Sequence, residues 1–237
     1  LGIDYCQLPS LEISRSKGIS RGKNDKIDAL KIAQYLLSHR FKIRLSTVTE
    51  IPLTEMRLLY THREKIIKSI SQYEKEFENI DFLPKEIQKE ILKSTKSILK
   101  NLHINLKKIE CRLSAIIKEH AAIEKNFKLI TSIPGIGKQT ALYLMIVTKN
   151  FTAFKEARQV ACYAGVAPFP YQSGSSINGR TKVNNLADKK LKSLLNMCAL
   201  SANKYDVELK EYFERKVNEG KNKMLVLNNI RNKLLAR

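Results

Sequence analysis

Several things are missing from this sequence of 237 residues. No apolar run approaches the roughly 20 residues of a membrane-spanning helix; the longest, Ala141 to Val147, has the length of a core segment. The four cysteines, Cys6, Cys111, Cys162 and Cys198, stand far apart without a Cys-x-x-Cys pair. That spacing argues against a zinc site or a disulfide framework and fits a reducing, cytoplasmic setting. No initiating Met or targeting stretch opens the chain. Leu1 to Pro9 reads as a buried strand already under way, so a preceding piece is expected. Between Thr54 and Lys125 there is no glycine, and Pro84 is the only proline, which excludes frequent turns and predicts very long helices. Acidic residues are scarce as well: 23 Asp and Glu face 43 Lys and Arg, for a net charge of +20. Such a potential attracts polyanions, nucleic acid first; a charge that serves only solubility, or contact with an anionic membrane surface, would give the same balance.

A hydrophobic content of 43% is enough to bury a core, and the chain divides into three zones. Residues 1–50 hold a strand-like start, a polar turn around Ser14 to Asn24, and a helix that Asn24 or Asp25 can cap. Ile27, Leu30, Ala33 and Leu37 recur there at steps of three and four, predicting one buried face. Residues 51–126 carry two heptad seams. One is Met56, Leu59, Arg63, Ile66, Ile70, Tyr73, Phe77 and Ile80; the other is Leu99, Leu102, Leu106, Ile109, Leu113, Ile116, His120 and Ile123. Either Pro84 reverses the chain into an antiparallel hairpin or two copies pair as a homo-oligomer, a dimer or a tetramer. His120 has no second ligand at i+3 or i+4 and is read as a packing residue. In residues 127–237 glycines, prolines and aromatics return, predicting a globular domain of short helices. The fold class is mainly α, with a long coiled-coil hairpin.

The segment from Leu129 to Leu144 has an apolar helix end, a Pro134-Gly-Ile-Gly137 turn and a second helix starting near Lys138, and resembles a helix-hairpin-helix motif. Gly135 and Gly137 would let the backbone approach a phosphate without a Cβ in the way. The following helix would offer unpaired N–H groups and its positive dipole end, and Lys138 a full charge. Ile136 would fasten the turn from inside, and Ala141 would allow close helix contact. Such a contact reads no base sequence. An ordinary turn between two core helices would use the same residues.

Asp25 and Asp28 share one helical face inside the basic stretch Arg21-Gly-Lys-Asn-Asp-Lys-Ile-Asp-Ala. Two carboxylates there repel unless a cation lies between them; Mg²⁺ bound by them and by a substrate phosphate would relieve this, with Arg21 and Lys23 steering DNA. Equally, Asp25 caps the helix and Asp28 answers its dipole. The stretch from Ala164 to Lys182 reads as a loop of small residues with hydroxyls at Ser173, Ser175 and Ser176 and cations at Arg180 and Lys182. A serine oxygen, Ser173 first, would attack phosphorus and conserve the bond energy as phosphoserine, with Arg180 and Lys182 neutralising charge. Most loop serines only form turns.

Arg21-Gly-Lys-Asn-Asp-Lys-Ile-Asp-Ala, Ile133-Pro-Gly-Ile-Gly-Lys-Gln-Thr-Ala, and Ala161-Cys-Tyr-Ala-Gly-Val-Ala-Pro followed by Gln172-Ser-Gly occur in this order. Together they resemble the DEDD transposases of the insertion sequence one-hundred-ten family, which are related to the Piv DNA invertases. The resemblance spans nearly the whole chain. It implies a RuvC-like nuclease fold, here partial, with four acidic metal ligands, a coiled-coil insertion, and a C-terminal transposase domain with a nucleophilic serine. By that match Asp25 and Asp28 are the third and fourth acids, Ser173 is the serine, and a structured guide RNA is a further partner beside DNA. The first Asp and the Glu would lie upstream of Leu1. Gly2-Ile-Asp4 mimics the first-strand motif, but only 21 residues separate Asp4 from Asp25. That interval is too short for parallel strands with their crossovers, so Asp4 is read as structural. The helical segment from Met224 to Arg237 reads as cut, so the chain is expected to be truncated at both ends. Three functions are weighed: a transposase that cleaves and rejoins DNA, a non-catalytic nucleic-acid-binding module or inactive remnant, and a coiled-coil assembly protein.

Overall fold

The computed structural model describes residues 5–16, 24–43, 45–46, 49–77, 84–173 and 177–237, without the side chains of residues 76, 77, 173, 177, 178 and 180. It contains two compact units, Leu1–Thr49 and Glu50–Arg237.

In the first unit, α1 spans Ser10–Arg15 and α2 spans Asp25–Ser38. Asn24 caps α2: its Oδ1 accepts the Ile27 N–H at 2.8 Å, leaving Asp25 and Asp28 in the first turn, where the dipole favours acids. The buried residue of α2 is Tyr35, whose hydroxyl donates to Glu12 of α1 at 2.5 Å and whose ring stacks on His39. The face expected to be buried is not: Leu30 is 58% and Leu37 71% exposed, Ala33 is exposed, and only Ile27 is partly covered. Helical spacing marks a face that can be buried, and α1 packs on the Tyr35 side instead. Tyr5 to Pro9 forms no strand, although the Tyr5 carbonyl accepts the Ser46 N–H at 2.8 Å. Leu1 to Asp4 lie outside the described residues, among which no parallel sheet occurs.

In the second unit α3 (Ile51–Phe77) and α4 (Lys85–Glu119) run antiparallel, as their crossing ion pairs show. Arg63 donates to Glu110 at 2.8 Å, and Arg112 reaches Glu55 at 2.8 Å. The absence of glycine lets both helices run long. Met56, Tyr60, Ile66 and Ile70 of α3 share one core with Ile109, Leu113 and Ile116 of α4, while Leu59, Leu99, Leu102 and Leu106 are partly buried against it. Of the two partners the heptads left open, a helix of the same chain fills the seam. Phe77's side chain and Ile80 lie outside the described residues. The second seam does not continue through His120, whose extended backbone (φ −122°, ψ 102°) ends α4 and starts a new helix.

That helix is α5 (Ala121–Thr131), followed by α6 (Lys138–Thr148), α7 (Ala157–Tyr163), β1 (Pro168–Ser173), β2 (Ile177–Val183), α8 (Lys189–Tyr205), α9 (Val207–Asn218) and α10 (Lys223–Ala236). Asp188, Asp206 and Asn222 cap α8, α9 and α10 by accepting backbone N–H groups at 2.8, 3.0 and 2.9 Å. Ile123, Ala141, Met145, Leu195, Ile230 and Leu234 extend the α3–α4 core through this region. The serine stretch expected as a loop is an antiparallel β-hairpin, with Tyr171 opposite Gly179 and Ser173 opposite Ile177. Two prolines in β1 hide it from a reading of the sequence, because proline is confined to edge strands and both strands here are edges. No described helix is long and apolar enough to cross a membrane.

Leu113 is almost fully buried where α3, α4 and the following helices meet. Leu113→Ala is expected to lower unfolding free energy by about 2–5 kcal/mol, read from the urea midpoint. A loss below about 1 kcal/mol would show that this seam is not a packed core.

Candidate nucleic-acid and catalytic site

α5 and α6 are joined by the turn from Ser132 to Gly137, and the two glycines in it do different work. Gly135 has φ +93°, and a Cβ there would lie 2.7 Å from the Ala202 Cβ and from the Cys198 carbonyl of α8. Its bareness seats the turn against α8. Gly137, the residue before α6, has φ −83°, and a Cβ there would meet no heavy atom within 4 Å. Of the two positions expected to face a phosphate, only Gly137 has open space where a side chain would start. Ile136 is buried beneath the turn, and Ala141 is fully buried.

No side chain caps α6. The peptide N–H groups of its first turn have no intrahelical acceptor, and Lys138 is exposed beside them. Behind the turn the Cys198 S–H donates to Thr140 Oγ1 at 3.3 Å, and the Gly137 backbone lies beside the same thiol. Burial pushes the Cys198 thiol up, against the opposing pull of these two contacts, so it stays protonated and structural. An uncapped, positively polarised helix end beside a lysine and an open glycine suits an anion.

The second element is the β-hairpin. α7 stops in a Schellman turn, with the Gly165 N–H on the Cys162 carbonyl at 3.0 Å and the Val166 N–H on the Ala161 carbonyl at 2.9 Å. Gly165 takes φ +64°, and a Cβ there would collide with that of Ala187, so only glycine fits. The stretch Ala161-Cys-Tyr-Ala-Gly-Val-Ala-Pro is thus a helix stop that launches β1. The Val166 carbonyl receives two amide donors from α10, Asn228 at 2.8 Å and Asn232 at 2.9 Å. Between these asparagines sits Arg231, 6% exposed, which donates to Asn196 Oδ1 at 2.7 Å and leaves its Nε without a partner. On the β2 side the Asp188 N–H donates to the Tyr163 carbonyl at 2.9 Å, and its carboxylate accepts the Tyr143 hydroxyl at 2.8 Å. Burial first, and that carboxylate second, push the Tyr143 hydroxyl far above the usual tyrosine range. Nothing in residue spacing marked Asn228, Asn232 or Asp188, because each acts on a backbone carbonyl or hydroxyl distant in sequence.

Ser173 ends β1; its side chain, Arg180's side chain, and Gly174, Ser175 and Ser176 lie outside the described atoms, as do Arg21 and Lys23. Lys182 is exposed on β2 opposite Phe169. Asp25 is exposed, and Asp28 is partly buried with its carboxylate 3.5 Å from Lys31. Their oxygens suit a hard cation such as Mg²⁺ as part of a ligand set. Among the described residues no group of three or more His, Cys, Asp or Glu could hold a metal ion.

Two family models match this chain in the order of these elements. One, described as transposase, covers residues 1–80; the other, described as the transposase IS116/IS110/IS902 family, covers residues 127–214, which include the α5–α6 turn and the β-hairpin. Residues 1–80 and residues 127–214, the latter with the α5–α6 turn and the β-hairpin, are thus similar to transposase domains. More closely, the chain carries transposase domains of the IS110 family. The pilin gene-inverting protein of Moraxella lacunata is 26% identical over 227 residues, covering 94% of this chain and 66% of that protein. The insertion element IS110 uncharacterized 43.6 kDa protein of Streptomyces coelicolor is 28% identical over 131 residues, 55% of this chain and 31% of its own length. The insertion element IS900 uncharacterized 42 kDa protein of Mycobacterium paratuberculosis is 32% identical over 108 residues, 45% of this chain and 27% of its own. The chain therefore spans about two thirds of the length of the pilin gene-inverting relative.

Gly135→Ala is expected to cost about 2 kcal/mol or more, from the left-handed backbone and the clash with α8, whereas Gly137→Ala leaves the melting temperature unchanged within a degree or two. Equal melting temperatures for both variants would contradict the packing described. Replacing Asn228 and Asn232 together by Ala is expected to speed amide hydrogen exchange in β1 and β2 more than in α6. Equal exchange in the hairpin before and after would remove α10 as its anchor.

Proposed function

We propose that this chain is part of a DNA transposase or recombinase that cleaves and rejoins strands during movement of an insertion sequence. Residues 1–50 form a portion of its nuclease domain, residues 51–126 a helical hairpin, and residues 127–237 the transposase domain. The observation that carries the reading is the uncapped start of α6, with an open Gly137 and exposed Lys138, in a chain of net charge +20. Gly137, Lys138 and the first-turn amides hold a phosphate of the DNA backbone in a helix-hairpin-helix contact, while Gly135 fixes the turn that presents them.

Ser173 is the nucleophile. Its oxygen gives up the hydroxyl proton as it bonds to phosphorus, the bond from phosphorus to the departing sugar oxygen breaks, and that oxygen takes up a proton, so the step is proton-neutral. Attack by a sugar hydroxyl on the phosphoserine reverses the step and rejoins DNA. Arg180 and Lys182 neutralise charge on the phosphate, and Arg21 and Lys23 attract the duplex. Asp25 and Asp28 contribute oxygen ligands to Mg²⁺, which supplies charge neutralisation at a phosphate when bound. A structured guide RNA that selects DNA and assembly into a dimer or tetramer belong to the same reading. Since α3 and α4 fill each other's seam, such assembly uses their outer faces or other surfaces.

The second reading, a nucleic-acid-binding module without chemistry, is favoured by the lack of a complete metal cluster among the described residues. Incubating the chain with DNA of the element's ends and Mg²⁺ and separating products under denaturing conditions decides between them. A covalent adduct that Ser173→Ala abolishes is expected. Duplex affinity without any adduct would leave the binding module. Gly137→Leu with Lys138→Ala is expected to weaken random-sequence duplex binding about tenfold or more at low salt while preserving the fold. Unchanged affinity would detach nucleic acid from this turn.

A further inference from the structure

Six lysines of α4, Lys85, Lys89, Lys93, Lys96, Lys100 and Lys107, are all exposed. At about 100° per residue they fall within an arc of roughly 80° on one flank of the helix, beside the seam of Leu99, Leu102 and Leu106. His103, exposed, fills the turn between the last two; its Nδ1 bonds the Leu99 carbonyl at 2.8 Å. The acids of this helix avoid the flank. Glu86 and Glu90 fall beyond its edge, on the side away from the seam, Glu110 is engaged by Arg63 at 2.8 Å, and Glu119 by Arg112 at 3.0 Å. None of the six lysines forms an ion pair among the described residues.

A solvated helix ordinarily intersperses signs, because like charges at i and i+4 repel and opposite ones attract. Glu86 and Glu90 stand three residues before Lys89 and Lys93 without closing an ion pair among the described residues, and from Lys96 on no acid but Glu110, already held by Arg63, lies three or four residues from the row, so solubility alone does not account for it. We propose that this flank is a docking surface for duplex DNA, separate from the α6 turn, contacting backbone phosphates without reading bases. The inference rests on the nucleic-acid reading above and adds a second surface to it. The row is about 33 Å long at 1.5 Å per residue, close to one turn of duplex at about 34 Å. A duplex is straight over this length, its persistence being about 150 base pairs, and can lie along a rigid helix without being deformed. A single strand would first have to be ordered along it, so the duplex is the better fit. The lysine ammonium groups act as point charges on flexible stems, suited to phosphates whose spacing does not match the helix repeat.

The test is the salt dependence of binding to a random-sequence duplex. Each phosphate contact contributes about 0.9 to the slope of log affinity against log salt. Substituting Lys89, Lys93, Lys96 and Lys100 together by Gln, which keeps helix propensity, is expected to reduce the slope by about 2 to 4 and leave the circular dichroism spectrum unchanged. A matched set on other elements, Lys155, Lys204, Lys210 and Lys221 to Gln, is expected to reduce it by less than about 1. An unchanged slope in the α4 variant overturns the proposal, as does an equal reduction in the matched set, which would show that only net charge is read. A reduction confined to single-stranded RNA overturns the duplex as occupant. If the unsubstituted chain binds no duplex, both this proposal and the nucleic-acid reading fall. If it binds through the α6 turn with the α4 lysines silent, only this one does.

Discussion

The approach of Gly135 to α8 is the constraint on which the helices around the α5–α6 turn depend. A backbone at φ +93°, with a Cβ position only 2.7 Å from Ala202 and the Cys198 carbonyl, admits no side chain, so the turn sits directly on the helix behind it. Beneath the seated turn Ile136 is buried, and the contact fixes the direction in which α6 starts. With the turn seated from behind, its outer side is free: Gly137 faces open space, Lys138 is exposed, and the first-turn amides of α6 have no cap. One glycine of the pair serves packing and the other access, so the two positions need glycine for unrelated reasons.

The sequence was legible where a side chain's character and its spacing both pointed to a partner within the same or the adjacent helix. The α3–α4 seam, the inward Ile136 and the buried Ala141 are of that kind, and the glycine-free run did mean long helices. The apolar face of α2 was misread because periodicity gives a direction and not a partner: Leu30 and Leu37 point away from the Tyr35–Glu12 contact that α1 provides. The serine stretch hid its strands behind two prolines and a bulge between Phe169 and Tyr171. It also required Gly179, since a Cβ there would lie 2.6 Å from the Tyr171 ring. The residues that hold the hairpin, Asn228, Asn232 and Asp188, carried no signal, because an amide side chain aimed at a carbonyl 62 positions away looks like any surface asparagine.

Charge is sorted as well as biased. Four carboxylates of α3 and α4 are spent on guanidinium and ammonium partners: Glu55 and Glu119 on Arg112, Glu110 on Arg63, Glu64 on Arg63 and Lys190. The Arg112 guanidinium holds Glu55 below the usual carboxylate range. Exposed pairs of this sort contribute little stability each, typically about 0–1 kcal/mol. Their larger consequence is that the acids face one another's partners and not the lysine-bearing surfaces, which keep their full attraction for a polyanion.

The hairpin that ends at Ser173 illustrates how direction is imposed on a weak element. Two strands alone are marginal in water, and Tyr171, Gln172 and Lys182 stand in solvent, so the sheet cannot fix its own orientation. Six residues of β1 reach about 20 Å at about 3.3 Å each, and a tilt of about 10° at the root would move the far end by about 3 Å. Reactions that depend on alignment lose about a hundredfold for a misplacement near 1 Å. The root is accordingly where the structure concentrates its bonds: a Schellman turn before β1, two amides on the Val166 carbonyl, and Asp188 joining Tyr143, Tyr163 and the start of α8. Arg231, buried between α8 and α10 without a carboxylate, is tolerated there because its guanidinium is held by Asn196 and packed beside the asparagines that grip Val166. Burial without a counter-charge is costly, and Arg231 is the one arginine so deeply buried among the described residues. Its place ties α10, which lies beyond the family match at residue 214, to the geometry of the strand that leads to Ser173.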